Sequence, residues 1–180
     1  MEVNMTLLIT DVQSGITNDR LHEYSRFLSA VEQLICAARS SGVEVVYIRH
    51  DDGPGTVLEK GTPGFEIYPA FAPREGERIF DKSVSSPFRS SGLLEYLRSK
   101  GEDQIMVTGL FTEYCIDATV KCGFEHGFEV IVPVEANSTA DNRHLTAAQT
   151  HEYYNHFIWN RRYARCVSVG EALSMLTNRD

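Results

Sequence analysis

Gln104 to Phe124 reads QIMVTGLFTEYCIDATVKCGF, and its hydrophobic period changes midway. Ile105, Met106 and Val107 form a continuous apolar run, the pattern of a buried strand, and Gly109 is expected to end it. Leu110 to Tyr114 then reads as a short loop. Beyond Cys115 the positions Ile116, Thr119, Val120, Gly123 and Phe124 fall at i, i+3, i+4, i+7 and i+8, one face of a helix. The spacing puts Cys115 in the first turn of a helix that leaves the carboxyl end of a strand. There the helix dipole and free backbone N–H groups favour a thiolate, so Cys115 is expected to be the most reactive cysteine. Free cysteines are also commonly buried and inert, so position alone leaves both readings open.

Working outward, the alternation of strand and helix recurs. Met5 to Thr10 (MTLLIT) is an apolar strand ending at Asp11. Phe27, Leu28, Val31, Leu34, Ile35 and Ala38 share a helix face, Ser40-Ser41-Gly42 closes it, and Val43 to Ile48 is a second buried strand. Strand, helix, strand is the signature of a parallel βαβ unit. Glu77 to Asp81 predicts a third strand running into Lys82, and Leu93, Leu94 and Leu97 mark a helix. Glu129 to Val134 is a further strand. Thr146-x-x-Gln149 is a capping box that opens a helix through roughly Trp159. Cys166 to Ser168 and Glu171 to Leu176 give a last strand and helix. The expected fold is α/β, with three α/β/α layers over a mostly parallel central sheet, in one domain over 1–180.

Arg49 to Gly76 stands apart, with four prolines, five glycines and no sustained period. A connection this long in a compact domain is functional or disordered. Phe65, Ile67, Tyr68 and Phe71 give it apolar anchors, which predicts an ordered lid or pocket wall.

Composition excludes several classes. A net charge of -8 without any Lys/Arg cluster argues against nucleic-acid binding. The first residues, MEVNMTLLITD, lack the basic and long apolar regions of a secretion signal, and no apolar run is long enough for a membrane span. Cys36, Cys115, Cys122 and Cys166 contain no CxxC pair and read as cytoplasmic thiols. No Walker A and no GxGxxG is present, so no cofactor is expected. His151 and His156 are one residue too far apart for an HExxH zinc site.

In a parallel sheet, ligands bind beyond the carboxyl ends of the strands. Asp11, Lys82 and Cys115 each follow or end such a strand. Together they suit amide hydrolysis: Cys115 attacks, Asp11 carries its proton, and Lys82 supplies a positive charge. Each alone has an ordinary reading, Asp11 as a turn former and Lys82 as a solvated cation.

These residues carry a resemblance. LLITDVQ, IFDKSVSSPF and VTGLFTEYCIDAT, in that order, resemble the isochorismatase-like cysteine hydrolases, the family that includes nicotinamidases. GFEVIVPVEANST and RYARCVSVGEAL match in position and character, so the likeness covers nearly the whole chain. It implies a Rossmann-like topology and an Asp11, Lys82, Cys115 triad acting through a thioester. It also implies a cis peptide at Leu110–Phe111 and an oxyanion hole from the backbone N–H groups of Phe111 and Cys115. The implied pocket takes Gln13, Tyr68, Phe88, Leu110, Phe111 and Tyr114. Nicotinamidases carry an Asp-x-His metal motif after the second strand. Here that place reads Arg49-His50-Asp51-Asp52, with the wrong spacing, so no metal site is expected.

The reading is therefore a metal-independent cysteine hydrolase acting on the C–N bond of a small-molecule amide. Two alternatives remain: an isochorismatase-type vinyl-ether hydrolase with Cys115 a bystander, and a non-catalytic flavodoxin-like binding or assembly module. The aromatic stretch Tyr153, Tyr154, Phe157, Ile158 and Trp159 is expected to be mostly core. Its apolar area, with the resemblance, also suits a homo-oligomer, a dimer or tetramer.

Overall fold

The computed structural model describes residues 4 to 178. The outer ends of the expected 1–180 domain, and the first three residues of the leader reading, lie outside the described residues. Strands β1 (Met5–Thr10), β2 (Glu44–His50), β3 (Arg78–Lys82), β4 (Gln104–Leu110), β5 (Glu129–Pro133), β6 (Asn137–Ser138) and β7 (Arg165–Val167) form one sheet. Its order is β3-β2-β1-β4-β5-β7, with the short β6 beside the end of β4, and every strand pair is parallel. The chain runs outward from β1 to β3 on one side, then returns to β4 on the other. That reversal between β1 and β4 is the switch point at which α/β sheets bind ligands.

Both faces of the sheet are covered, as the continuous apolar strands require. Leu7, Ile9, Val45 and Tyr47 point to one face, where α1 (Tyr24–Ser40) and α5 (Val169–Thr177) cover them. Leu8, Val46, Ile48 and Val107 point to the other, against α2 (Leu93–Ser99), α3 (Asp117–Glu125) and the buried Trp159. The strict alternation follows from the period of two along a strand. Thr146 and Ser168 each head a helix with a reciprocal capping box, at α4 (Ala147–Glu152) and α5. Among the described residues no helix is long and apolar enough to cross a membrane.

Three local features differ from the sequence reading. β4 does not end at Gly109 but runs through it to Leu110. Gly109 pairs with Thr10, has φ +123°, and a Cβ there would stand 1.9 Å from the Thr10 carbonyl oxygen. The glycine permits a close approach of β1 and β4 rather than a stop. The helix after β4 begins earlier than expected, with a π-helical turn at Thr112–Ile116, where Ile116 N–H donates to the Phe111 carbonyl. The capping-box helix likewise widens into a π-helical turn at Tyr153–Trp159. Asn155 Nδ2 donates to the His151 carbonyl there, a side-chain competitor for the α-helical backbone bond. Of the aromatic stretch, Trp159 is fully buried, whereas Tyr153 and Phe157 are exposed.

The segment from 51 to 76 is ordered by hydrogen bonds to the turn after β1. Ser14 N–H donates to Glu66, Gly15 N–H to Gly64, and Tyr68 N–H to Val12. Phe65 and Phe71 are buried, so the apolar anchors hold the segment down.

Candidate active site

Four neighbouring strands deliver one side chain each to the same point. Asp11 follows β1 with φ +54°, a left-handed turn that lifts the chain off the strand. His50 ends β2, Lys82 ends β3, and Cys115 sits in the π-helical turn after β4. Lys82 is fully buried at its side chain and lies among the other three. Its Nζ donates to Asp11 Oδ2 at 2.7 Å, His50 Nδ1 at 2.9 Å and Cys115 Sγ at 3.2 Å. An ammonium has three N–H donors, and each one is matched. With Nδ1 accepting, the imidazole proton resides on Nε2, which donates to Asp52 Oδ1 at 2.8 Å.

The electrostatics differ from the thiolate expectation. Burial, followed by the negative charge of Asp11, pushes the Cys115 thiol up to about 12, and the Lys82 cation only partly offsets this. Burial likewise raises the Asp11 carboxyl above its ordinary value, against the opposing pull of Lys82. Desolvation of the charged form outweighs the helix start. The resting site therefore holds a protonated thiol beside a carboxyl of raised proton affinity. Asp11 Oδ1 is buried with no hydrogen-bond donor fixed on it.

The turn that carries Cys115 is pinned from behind. Thr112 Oγ1 donates to Asn137 Oδ1, and Asn137 exchanges side-chain hydrogen bonds with Asn155, all in buried positions. Thr119 Oγ1 donates to the Cys115 carbonyl. The Leu110–Phe111 peptide bond is cis.

A cavity of about 340 Å³ opens above these groups, lined on the reactive side by Asp11 and Cys115. Leu110, Phe111 and Tyr114 are also in its wall. Gln13, Tyr68 and Phe88 are not, which corrects that part of the expected pocket. Gln13 is fully buried, its amide joining the backbone of His50 and the Phe65 carbonyl. Tyr68 turns its hydroxyl to Tyr24, and Phe88 packs against Phe128 and His126. In their place stand Ile16, His50, Asp52, Leu58 and Ser85. Sequence reasoning weighed His50 and Asp52 only as metal ligands. The signal that could have found them was the position of His50 at a strand end beside Asp11.

Asp11, His50 and Cys115 offer ligand atoms within 4.8 Å of one another. The Lys82 ammonium binds all three of these residues and already fills the cation position. Asp51 turns away, its Oδ1 accepting from the Gly53 and Lys60 N–H groups.

The isochorismatase domain model matches residues 5–167. A streptothricin hydrolase from Streptomyces noursei is 31% identical over 137 residues, 75% of this chain and 50% of that protein. The chain spans about half the length of the streptothricin hydrolases it matches. The maleamate amidohydrolase of Pseudomonas putida is 30% identical over 189 residues, 94% of this chain and 85% of that one. An isochorismatase-family protein of known structure from Chromobacterium violaceum superposes with a TM-score of 0.90 at 26% identity, over 99% of this chain and 95% of the other.

Proposed function

The chain belongs to the isochorismatase family, and from that premise we propose that it hydrolyses the C–N bond of a small amide, with Cys115 as nucleophile, Asp11 as proton carrier and Lys82 as fixed cation. The observation that carries this is the Lys82 ammonium, bonded to both Asp11 and Cys115 beneath the cavity that these two residues line. The names of two relatives, a streptothricin hydrolase and a maleamate amidohydrolase, support amide hydrolysis as the reaction class.

The protonated resting thiol fixes the order of events. As Sγ attacks the amide carbon, its proton passes to Asp11, whose proton affinity burial raises. The carbonyl oxygen becomes an oxyanion, received by the backbone N–H groups of Phe111 and Cys115. Collapse breaks the C–N bond, and Asp11 returns the proton to the leaving nitrogen. Water then attacks the thioester while Asp11 takes its proton. Release of the acid breaks the C–S bond, and the proton returns to sulfur. Lys82 stabilises the negative charge as it moves between Asp11 and Cys115, and His50 holds the ammonium in place.

Intact-protein mass spectrometry of quenched reactions tests this. A small amide should give an adduct heavier by its acyl group on the wild type and none on Cys115→Ala. Turnover by Cys115→Ala without an adduct would sink the mechanism. As a partner surface we assign self-association through Tyr153 and Phe157, exposed rings stacked at 5.2 Å. Sedimentation of Phe157→Ser at an unchanged oligomer size would remove that assignment.

A further inference from the structure

Resting on the amide reading above, we infer that the cavity selects amides bearing a positive charge on the acyl side, with Asp52 as the residue that receives it. Of the charged side chains in the cavity wall, Asp11 and Asp52 are acidic, and neither lysine nor arginine is among them. The Asp11 charge is matched by Lys82, whose three N–H donors are all engaged below the floor. The wall therefore carries one uncompensated negative charge, on Asp52.

Asp52 is built for this role. Its Oδ1 accepts from His50 Nε2, which fixes the carboxylate at the cavity, and its side chain is about half exposed (53%). Ile16, Leu58, Leu110, Phe111 and Tyr114 make most of the remaining wall apolar or aromatic, and Ser85 and His50 are its neutral polar members. An aromatic wall beside a carboxylate suits an ammonium on a short alkyl chain. It is poor for a carboxylate, which would lose water with no cationic partner.

The basic residues near the site are turned elsewhere. Arg49 lies over the Phe65 ring and pairs with Asp81 and Glu66. Lys60 pairs with Asp81, and Lys60 and Arg89 line a different cleft on the β3 side. The overall charge of -8 favours approach of cations as well.

Three amides of similar size separate the possibilities: 4-aminobutanamide (cationic), pentanamide (neutral) and succinamate (anionic). The measurements are kcat/KM by ammonia or acid release, and binding to Cys115→Ala by calorimetry. The cationic amide should exceed the neutral one by about tenfold or more, as a charged hydrogen bond allows, and succinamate should be weakest. In Asp52→Asn the cationic-to-neutral ratio should fall to about one. The ratio is the readout, because Asp52 also holds His50 and the absolute rates can fall. A preference for succinamate, or a ratio unchanged in Asp52→Asn, overturns the inference while the amide reading stands. If no amide turns over but Cys115→Ala binds them in the expected order, the reaction fails and the charge selection stands. Failure of 4-aminobutanamide to bind at millimolar concentration overturns the inference.

Discussion

The cavity is walled by two regions built on opposite plans. The β4 end and its π-helical turn, Gly109 to Ile116, are short, and the turn is pinned through the Thr112 side chain by buried hydrogen bonds to Asn137 and, through it, Asn155. The segment from 51 to 76 is long and irregular, and its anchoring comes from a few backbone bonds and two buried phenylalanines. The first carries the proposed nucleophile. The second region supplies Asp52 and Leu58 to the cavity wall. Bond-making groups need positions fixed to fractions of an ångström, whereas a specificity wall needs only shape and charge. The difference assigns reaction to the strand ends and selectivity to the loop.

The comparison breaks most readily at Cys115. Cys115→Ala should lower turnover of every amide by roughly 10⁴-fold or more, with no change in the order of substrates, measured by ammonia release. A variant that loses one substrate and keeps another would place selectivity in the β4 turn instead. The resting thiol sharpens this. Because Cys115 is pushed up to about 12, iodoacetamide at neutral pH should label the exposed Cys36 sooner, and Cys115 labelling should climb steeply as pH rises toward that value. Peptide mapping reads the order. First labelling of Cys115 at neutral pH would mean that the site stabilises a thiolate after all.

The next effect is structural. Gly109→Ala would drive a Cβ into the Thr10 backbone at a φ unfavourable to alanine, so β1 and β4 must separate where Asp11 and Cys115 meet. The expected loss is about 3 kcal/mol or more, read as a lower melting temperature or loss of folded protein. An unchanged melting temperature would show that the strand ends are less fixed than argued.

How much of this was legible in the sequence follows the same division. The apolar runs at Met5–Thr10, Val43–Ile48 and Ile105–Val107 gave themselves away as strands because both faces of a parallel sheet are buried. Asp11, Lys82 and Cys115 could be singled out because each stands at a strand end. The π-helical turns were not legible: the first is held through Thr112 by Asn137, distant in sequence, and the second contains Asn155, whose side chain competes for the His151 carbonyl. Nor was β6, a strand of two residues (Asn137–Ser138). Gln13 and Phe88 lie in stretches that match the family, yet the fold turns them into a strut and a core residue. The upward push on the Cys115 thiol was not legible because burial and the Asp11 charge are tertiary facts, whereas the helix start is a local one.

Gln13→Ala tests the joint between the two regions. Its amide ties the β1 turn to the His50 backbone and to Phe65 in the long segment. Removing it leaves the buried backbone groups unpaired, at a cost of about 2 kcal/mol in urea denaturation. Limited proteolysis should then cut between residues 51 and 67 faster than in the wild type. Because His50 also seats Lys82, kcat should fall too. Faster cutting with an unchanged kcat would mean that the loop and the reacting groups are independent.

The smallest effect lies at the far end of the long segment. Arg39 reaches across from α1 to bind Glu77 through Nε and Nη2, and it also donates to the Ala72 carbonyl and the Tyr47 hydroxyl. Burial alone would raise the Glu77 carboxyl, but the Arg39 hydrogen bond, with the Arg74 N–H, outweighs it and holds the carboxyl below its ordinary 4.5. The folded value is thus the lower one. The stabilisation is present above 4.5 and disappears as pH falls through the lower folded value. Glu77→Gln keeps an acceptor for the N–H donors and removes the charge, so it should cost about 1 kcal/mol at pH 7. The gap between wild type and variant should close in acid, as measured by urea midpoints across the pH range. A gap that stays constant with pH would assign the effect to packing rather than charge. Amide turnover at pH 7 should be unchanged, because this tether sits far along the segment from Asp52 and Leu58. A fall in kcat/KM confined to the cationic amide would mean that the outer tether sets the position of Asp52, and the specificity wall would then extend along the whole segment.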